Sequence, residues 1–218
     1  MSYYSQLSHY FSLDLSTHKE YLGEIETFLE SQGIAQRATC KDALDEAWDV
    51  RLTAMEHLYP DILRKSFFLT LYALAEVELK NICRHVEEQD KLPLSLDDLF
   101  VQGGFTEKIR KYLERLARVR VPHTPEWAEL ENYRKLRNCV THTQGALTSS
   151  KDDRYLGTRY IPSQSPLLSI YDDTVIFNRG FCERVIDILG SSVSQLCTVL
   201  DNRQLDKTGN IAPNPRRG

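Results

Sequence analysis

A short string in the second half of the chain groups three side chains that suit chemistry on a phosphate. Arg137, Asn138 and His142 form an Arg-Asn-x-x-x-His pattern. Arginine is a permanent cation that pairs with phosphate oxygens, and histidine titrates near neutral pH. A histidine can take the proton of a ribose 2′-hydroxyl or protonate a departing 5′-oxygen, while the arginine stabilises the growing negative charge. The asparagine amide can hold either group in register.

These residues fall in a segment, residues 125 to 143, whose apolar side chains recur every three or four positions. The periodic positions are Trp127, Leu130, Tyr133 or Arg134, Leu136 and Val140. The spacing predicts a helix that opens after Pro122 and Pro125 and ends at Gly145. On such a helix Asn138 and His142 share a face, but Arg137 and His142 point about 140° apart. Two copies packed about a twofold axis could bring the Arg of one toward the His of the other.

A structural explanation of the same string is available. His142 can cap a helix end, Asn138 can be a surface amide and Arg137 a solvated cation. Short motifs match by chance often enough that spacing alone favours this alternative.

The string nevertheless resembles the signature of HEPN domains. The resemblance extends to Tyr133-Arg134-Lys135-Leu136 before it, and the apolar segment 66–83, which carries Glu76, is similar to the companion helix of HEPN toxins. It covers roughly residues 61 to 200 and implies an all-α bundle that forms a homodimer with a composite ribonuclease site. Arg137 would stabilise the phosphate, His142 would act as acid or base, and Asn138 would position them. The resemblance further implies an RNA substrate, a role as a toxin or in antiphage abortive infection, and a cognate antitoxin or defence-system partner protein.

Two acidic residues and one arginine are candidates for supporting roles. Glu76 and Glu78 lie about 200° apart on their predicted helix, so they cannot share a task. Glu76 lies on the polar edge and matches the acidic position of the family. Glu78 falls on an apolar stripe and would need a cationic partner such as Arg134 or Arg137. The alternative is an ordinary Glu76–Lys80 pair with Glu78 at the boundary of the core.

A basic segment just before the motif helix is a candidate RNA-binding surface. Six cations lie between residues 108 and 120, with Glu107 and Glu114 as the nearby acids. Such a local excess can guide a phosphate backbone. The predicted RNA-binding residues are Lys111, Arg115, Arg118 and, within the motif helix, Lys135. The alternative is a solvated helix face.

The bulk composition narrows the class of protein. A formal charge of −4 over 218 residues argues against binding of nucleic acid through a general basic surface. Five cysteines without C-x-x-C or zinc spacing indicate core residues in a reducing compartment, so we expect no metal and no cofactor. No signal-peptide pattern and no apolar run of about 18 residues is present, which predicts a cytoplasmic protein with no membrane association.

The periodicity predicts a mainly α helical bundle with one short β-hairpin before the C-terminal helix, and the resemblance implies that this bundle is HEPN-like. The first helix should be capped by Ser16 or Thr17 and stop at Gly33, with four residues on its inner face. These are Leu22, Ile25, Phe28 and Leu29. A second helix should run from residue 41 to 58, ended by Pro60, with another four residues inward. These are Leu44, Trp48, Leu52 and Met55.

The remaining elements follow in order. A long central helix should span residues 61–89, a basic helix 105–119 with Ile109, Leu113 and Leu116 inward, and a surface loop 148–166. Strands 168–171 and 174–177 should flank Asp172-Asp173, and a closing helix should span 181–200. We expect N-terminal helices in residues 1–60 that pack on the core, a HEPN-like domain in 61–205, and a disordered tail in 206–218.

One alternative function belongs to another class of protein. The chain could be a catalytically silent HEPN-like module that binds RNA or a protein, or that restrains a partner enzyme, with the motif kept as a set of interface hydrogen bonds.

Overall fold

The computed structural model describes residues 2–39, 46–101 and 104–209, and its architecture is mainly α. The helices are α1 (Tyr3–Thr39), α2 (Glu46–Thr53), α3 (Tyr59–Asp90), α4 (Phe105–Lys111), α5 (Pro125–Thr143), α6 (Lys151–Tyr155), α7 (Ile161–Ser163) and α8 (Phe181–Gly209). Strands β1 (Leu168–Tyr171) and β2 (Thr174–Phe177) form an antiparallel hairpin before α8. The predicted mainly α class, with one short hairpin before the C-terminal helix, is therefore confirmed. None of the described helices is long and apolar enough to cross a membrane.

The chain divides into two compact units. The first comprises residues 1–13, 75–131 and 188–218, and the second comprises residues 14–74 and 132–187. In the first unit, buried side chains of α3, α4 and α8 include Ile82, Ile109 and Leu196. The predicted domain boundary near residue 60 stays a prediction.

An aromatic cluster forms the centre of the second unit. Phe68 of α3, Tyr133 of α5, Phe177 of β2 and Phe181 of α8 are each at most 1% exposed, with ring centroids 4.8–6.2 Å apart in the contacts among them. Their edge-to-face and tilted arrangements are the favoured geometries for aromatic pairs. The cluster fixes the motif-bearing half of α5 against the hairpin.

Three predicted elements agree closely with the structure. The central helix α3 and the motif helix α5 occupy the predicted segments, and the hairpin strands have the predicted bounds. Asp172 and Asp173 both have positive φ, 46° and 54°, as a two-residue type I′ hairpin turn requires. The four cysteines in the described residues, Cys83, Cys139, Cys182 and Cys197, are all buried.

The first predicted helix is wrong at both ends. Helix α1 starts at Tyr3 because the side chain of Ser2 accepts a hydrogen bond from the Ser5 amide at 3.0 Å, and it continues past Gly33. A single glycine costs a helix only about 1 kcal/mol, so it need not end one. Phe28, predicted to point inward, is 58% exposed, whereas Glu26 is buried.

The predicted break at Pro60 is also wrong. A π-helical turn, Ala54–Leu58, joins α2 to α3, and the Tyr59 amide bonds to the Ala54 carbonyl. Pro60 then falls in the first turn of α3, where its missing N–H costs little. Leu44, the side chain of Trp48 and the predicted start of this helix at residue 41 lie outside what the structure describes, whereas Leu52 and Met55 are half-buried.

The predicted loop at residues 148–166 is largely helical. Helix α6 continues through a π turn, Leu156–Tyr160, into α7. Ser150 starts it by accepting a hydrogen bond from the Asp153 amide at 3.0 Å, and buried Leu156, Tyr160 and Ile161 hold it against the core. The loop was predicted because polar residues dominate this segment, and the prediction overlooked these three buried side chains.

Two further predicted ends are wrong. Helix α4 passes into a π turn, Tyr112–Leu116, and helical structure ends there, before Val119. The π turn changes the phase of the helix, so Tyr112 and Ala117 are buried while Leu116 is only half-buried. Helix α8 extends to Gly209 rather than Leu200, and residues 210–218 of the predicted tail lie outside the described residues.

Candidate functional site

Helix α5 positions the three motif residues on its outer surface. Its inner stripe, including Tyr133, Leu136 and Val140, is buried against the core. Arg137 and Asn138 are half-buried and His142 is exposed. The same apolar periodicity that forms the helix therefore leaves all three motif side chains open to solvent.

Arg137 and Asn138 are in direct contact. Nη1 of Arg137 donates a hydrogen bond to Oδ1 of Asn138 at 3.2 Å. A guanidinium carries five N–H donors, so one bond to an amide fixes its orientation and leaves the others for a phosphate. Asn138 thus positions the arginine, rather than the imidazole, in this structure.

His142 makes no hydrogen bond to any described residue. The end of α5 is closed by other groups: Oγ1 of Thr143 lies 2.7 Å from the carbonyl oxygens of both Cys139 and Ala146, and the Gly145 amide donates to the Cys139 carbonyl at 3.2 Å. Gly145 has a φ of +93°, which favours glycine at this position. The structural explanation of His142 as a helix cap therefore has no hydrogen bond to support it.

The regular geometry of α5 does not bring Arg137 and His142 to one point. Five residues of α-helix rotate a side chain by about 500°, which leaves the two directions about 140° apart. The structure joins Arg137 to Asn138 and leaves His142 separate. One copy of α5 therefore presents the Arg137–Asn138 pair and His142 in separate directions.

Arg134 and Lys135 contact α6. Nη2 of Arg134 lies 3.2 Å from Oδ2 of Asp152, and Nζ of Lys135 lies 4.8 Å from the centre of the Tyr155 ring. The Tyr155 hydroxyl also donates to Oδ1 of Asn132 at 3.0 Å. These contacts fasten α6 beside the motif, so Arg134 and Lys135 have structural partners in addition to their predicted roles.

The two acidic candidates belong to the first unit and are both half-buried on α3. Oε2 of Glu78 accepts a hydrogen bond from Nδ2 of Asn81 at 3.3 Å, and Glu78 lines a cavity of about 360 Å³ with Tyr3 and His85. The Tyr3 and His85 rings stack at 3.5 Å, and burial lowers the pKa of His85. The alternative Glu76–Lys80 pair is wrong, because Nζ of Lys80 lies over the Phe105 ring at 5.3 Å.

The basic segment is partly neutralised by its own acids. Arg110 bonds to Glu107 at 2.7 Å and to Glu114 at 2.9 Å, and Lys111 lies 3.2 Å from Glu107. The hydrogen bond from Arg110 holds the pKa of Glu107 below its usual value. Arg115 and Arg118 are exposed and pair with no acid in the described part of the chain. Of the three predicted RNA-binding residues in this segment, Arg115 and Arg118 are therefore the two whose positive charges are not neutralised by a described acidic side chain.

Sequence reasoning missed a buried ion network in the second unit. Glu26 of α1 is 6% exposed and pairs with Nε of Arg64 at 2.6 Å and with Nε of Arg179 at 3.4 Å. Nη1 of Arg64 also donates to the Phe177 carbonyl at 3.1 Å. The spacing could have revealed the buried Glu26, because Glu26 lies four residues after Leu22 and therefore on the same apolar face of the helix.

Sequence reasoning also missed a cleft in the first unit, between the first turns of α4 and α5. It has a volume of about 570 Å³ and includes Trp127, which the apolar pattern marked only as a core residue. Within the described ranges, no group of three or more His, Cys, Asp or Glu side chains is arranged to hold a metal ion.

Comparison with known proteins finds no similar protein. No protein-family model, no curated protein and no solved structure matches the chain.

Proposed function

We propose that this chain is a HEPN-type endoribonuclease that cleaves RNA without a metal and acts as a homodimer. The observation that supports this most directly is the state of the motif: Arg137 is oriented by Asn138, and His142 is exposed at a helix end that other residues close. A histidine in that position has no structural task among the described residues and is accessible to a substrate.

The reaction follows from the chemistry of these groups. One imidazole takes the proton of the ribose 2′-hydroxyl, the 2′-oxygen attacks phosphorus, and the bond from phosphorus to the 5′-oxygen breaks. The same imidazole, now protonated, gives that proton to the departing 5′-oxygen, and the Arg137 guanidinium pairs with the phosphate oxygens as charge builds on them. The products are a 2′,3′-cyclic phosphate and a free 5′-hydroxyl.

A homodimer completes the site. An isologous interface about a twofold axis places the α5 helices of two copies opposite each other, so Arg137 of one copy can approach His142 of the other. The biological role that fits such an enzyme is a toxin or an antiphage abortive-infection effector in the cytoplasm, held in check by a cognate antitoxin or defence-system partner protein.

The mechanism is tested by the products and by chelation. Purified protein should cleave single-stranded RNA in the presence of EDTA and leave a 2′,3′-cyclic phosphate or its opened product, because the 2′-hydroxyl is the nucleophile. An all-deoxy strand should not be cleaved. A strict requirement for Mg²⁺ or Mn²⁺, or cleavage of the deoxy strand, would contradict the proposal.

The biological role is tested in a bacterial host. Induction of the wild-type chain should stop growth, whereas His142→Ala should not. His9→Ala is the matched control, because His9 is also an exposed histidine on a helix. Normal growth with the wild-type chain, together with RNA binding but no cleavage, would favour the catalytically silent module.

A further inference from the structure

The cleft in the first unit combines an apolar wall with polar groups at its edge. Val121, Pro122 and Trp127 supply apolar surface, and Glu107, Arg110 and Glu131 supply charged groups. Its volume of about 570 Å³ is within the range of small-molecule pockets. The first turn of α5 is held in place because Oγ1 of Thr124 donates to Oε1 of Gln195 at 2.8 Å. The wall that carries Trp127 is therefore preformed.

Trp127 carries the strongest indication of a ligand. Trp127 is one of the residues that line the cleft, it is 7% exposed, and its indole Nε1 is buried without a hydrogen-bond acceptor among the described residues. A buried donor without a partner loses the hydrogen bond that it had in water, so such groups are rare in native proteins. An acceptor atom on a bound molecule would satisfy it.

Glu131 supplies the complementary group. It lies four residues after Trp127 on α5, so the two side chains share a face of the helix and both line the cleft. A carboxylate has about four acceptor positions and can receive two parallel N–H groups from one planar ligand in addition to a protein partner. The other two charged groups of the cleft bind each other, because both oxygens of Glu107 accept hydrogen bonds from Arg110.

The required ligand therefore presents an acceptor beside donors on one flat edge and an apolar face. A purine base has this pattern. On guanine the O6 acceptor would receive the indole N–H, while N1–H and the 2-amino group would donate to the carboxylate. Proteins read unpaired RNA bases through such edges and pack the ring against apolar or aromatic side chains.

The charges near the cleft indicate a polymer rather than a free base. Arg120 directly precedes Val121 in the chain and Arg118 lies two residues earlier, and both are exposed with no acidic partner in the described part of the chain. Cations in such positions contact the phosphates that flank a bound base.

We propose that this cleft binds one unstacked purine of a single-stranded RNA, with guanine preferred, through the Trp127 indole and the Glu131 carboxylate. The choice of RNA as the source of the purine rests on the proposed ribonuclease function. The cleft would then select where along the strand the enzyme engages.

Binding of nonamers that carry a single test base tests the cleft. The probes are 2′-O-methyl oligonucleotides of eight uridines with guanine, adenine or hypoxanthine at the centre, and an all-uridine control. They lack the 2′-hydroxyl and cannot be cleaved by the proposed mechanism, so the full-length wild-type protein can be used. We expect the guanine probe to bind about tenfold more tightly than all-uridine in fluorescence anisotropy, with hypoxanthine weaker because it lacks the 2-amino donor.

Variants assign the preference to the two residues. Trp127→Phe keeps an aromatic ring but removes the donor, and Glu131→Gln removes the charge, so each should reduce the guanine preference to below about threefold. Glu129→Gln on the same helix, outside the cleft, is the matched control and should keep the full preference. Equal binding of all probes by the wild type, or an unchanged preference in Trp127→Phe with wild-type helical content, would overturn the proposal.

Two further measurements separate the related possibilities. Guanosine monophosphate should compete only at far higher concentration than the nonamer; competition at equal concentration would overturn RNA as the ligand and indicate a free nucleotide. Because these probes report binding without cleavage, a negative result here leaves the cleavage tests unaffected. Guanine-selective binding by a protein that cleaves no RNA would support the cleft while contradicting the ribonuclease.

Discussion

Each of the three motif side chains has a different environment on α5. Arg137 is held by the Asn138 amide, and His142 bonds to no described residue. The helix end is closed by the Thr143 hydroxyl and the left-handed Gly145 instead. Loss of a motif side chain should therefore affect chemistry far more than stability.

At the residue scale, we predict that Arg137→Ala and His142→Ala each abolish RNA cleavage. Both should change the free energy of unfolding by no more than about 0.5 kcal/mol, because an exposed or half-exposed group outside the packed core contributes little. Cleavage assays and urea unfolding followed by circular dichroism provide the two measurements.

The control for this prediction is Arg159→Ala, which removes an exposed arginine from outside the motif and should retain activity. If His142→Ala unfolds the protein, the histidine has a structural role and the catalytic assignment fails.

At the scale of elements, two sets of polar contacts hold segments of the second unit together. Oδ2 of Asp153 accepts a hydrogen bond from the Thr148 amide at 3.1 Å and a short one from the Thr148 hydroxyl, which holds the residues before α6 against its first turn. In α1, Glu26 joins α3 through Arg64. Both are polar groups within the core, so each can be tested by changing one charge.

We predict that Asp153→Asn destabilises the protein by about 1–2 kcal/mol at pH 7. Burial acts to raise the pKa of Asp153, but hydrogen bonds from Thr148 and Ser150 outweigh it and hold the pKa below its usual value. A depressed pKa gives stability that is present above the unfolded value, about 3.9, and is lost as pH falls through the folded value.

The difference between wild type and Asp153→Asn in urea unfolding should therefore be constant from pH 7 to about pH 5 and shrink below about pH 4. Asp187→Ala is the control, since its ion pair with Lys19 is exposed and should contribute little at any pH. A difference that grows on acidification would contradict this account.

We predict that Glu26→Gln costs about 3–5 kcal/mol, because it leaves the Arg64 guanidinium in the core without its carboxylate. Glu30→Gln is a close control on the same helix: Glu30 pairs with Arg179 at 2.9 Å but its side chain is 59% exposed, so its loss should cost less than about 1 kcal/mol. Equal effects of the two substitutions in urea unfolding would show that burial does not determine the contribution of Glu26.

At the scale of the whole molecule, the direction of the motif side chains determines how many copies a site needs. Helix α5 presents Arg137 and His142 about 140° apart, so under the proposed function one copy supplies two half-sites. A twofold-related partner can complete both of them.

We predict that mixing inactive Arg137→Ala and His142→Ala proteins restores activity. In a mixed dimer the intact arginine of one chain faces the intact histidine of the other, so one of the two sites is regenerated. With random exchange of subunits, about half the dimers are mixed and about a quarter of wild-type activity should return.

The oligomeric state provides the complementary measurement. Specific activity should fall on dilution below the dissociation constant of the dimer, as seen by analytical ultracentrifugation. A monomer with undiminished cleavage, or a mixture of the two variants that remains inactive, would contradict the composite site.

The sequence by itself determined those helices and strands whose signals come from residues close together along the chain. The apolar period of three and four residues defined α3 and α5, and the alternating strands around Asp172-Asp173 defined the hairpin, because these signals come from neighbours along the chain. The motif residues were identified from their types and spacing for the same reason.

Only the tertiary structure decided features that depend on distant residues. Glu26 is buried and Phe28 exposed because Arg64, 38 positions away in the sequence, supplies the charge that a buried carboxylate needs. The polar segment after residue 148 is helical because three apolar side chains within it pack on the core. His142 is not the cap of its helix because the Ala146 carbonyl is placed where Thr143 reaches it. Burial and hydrogen-bond partners arise from packing, and packing is not encoded in the spacing of any one segment.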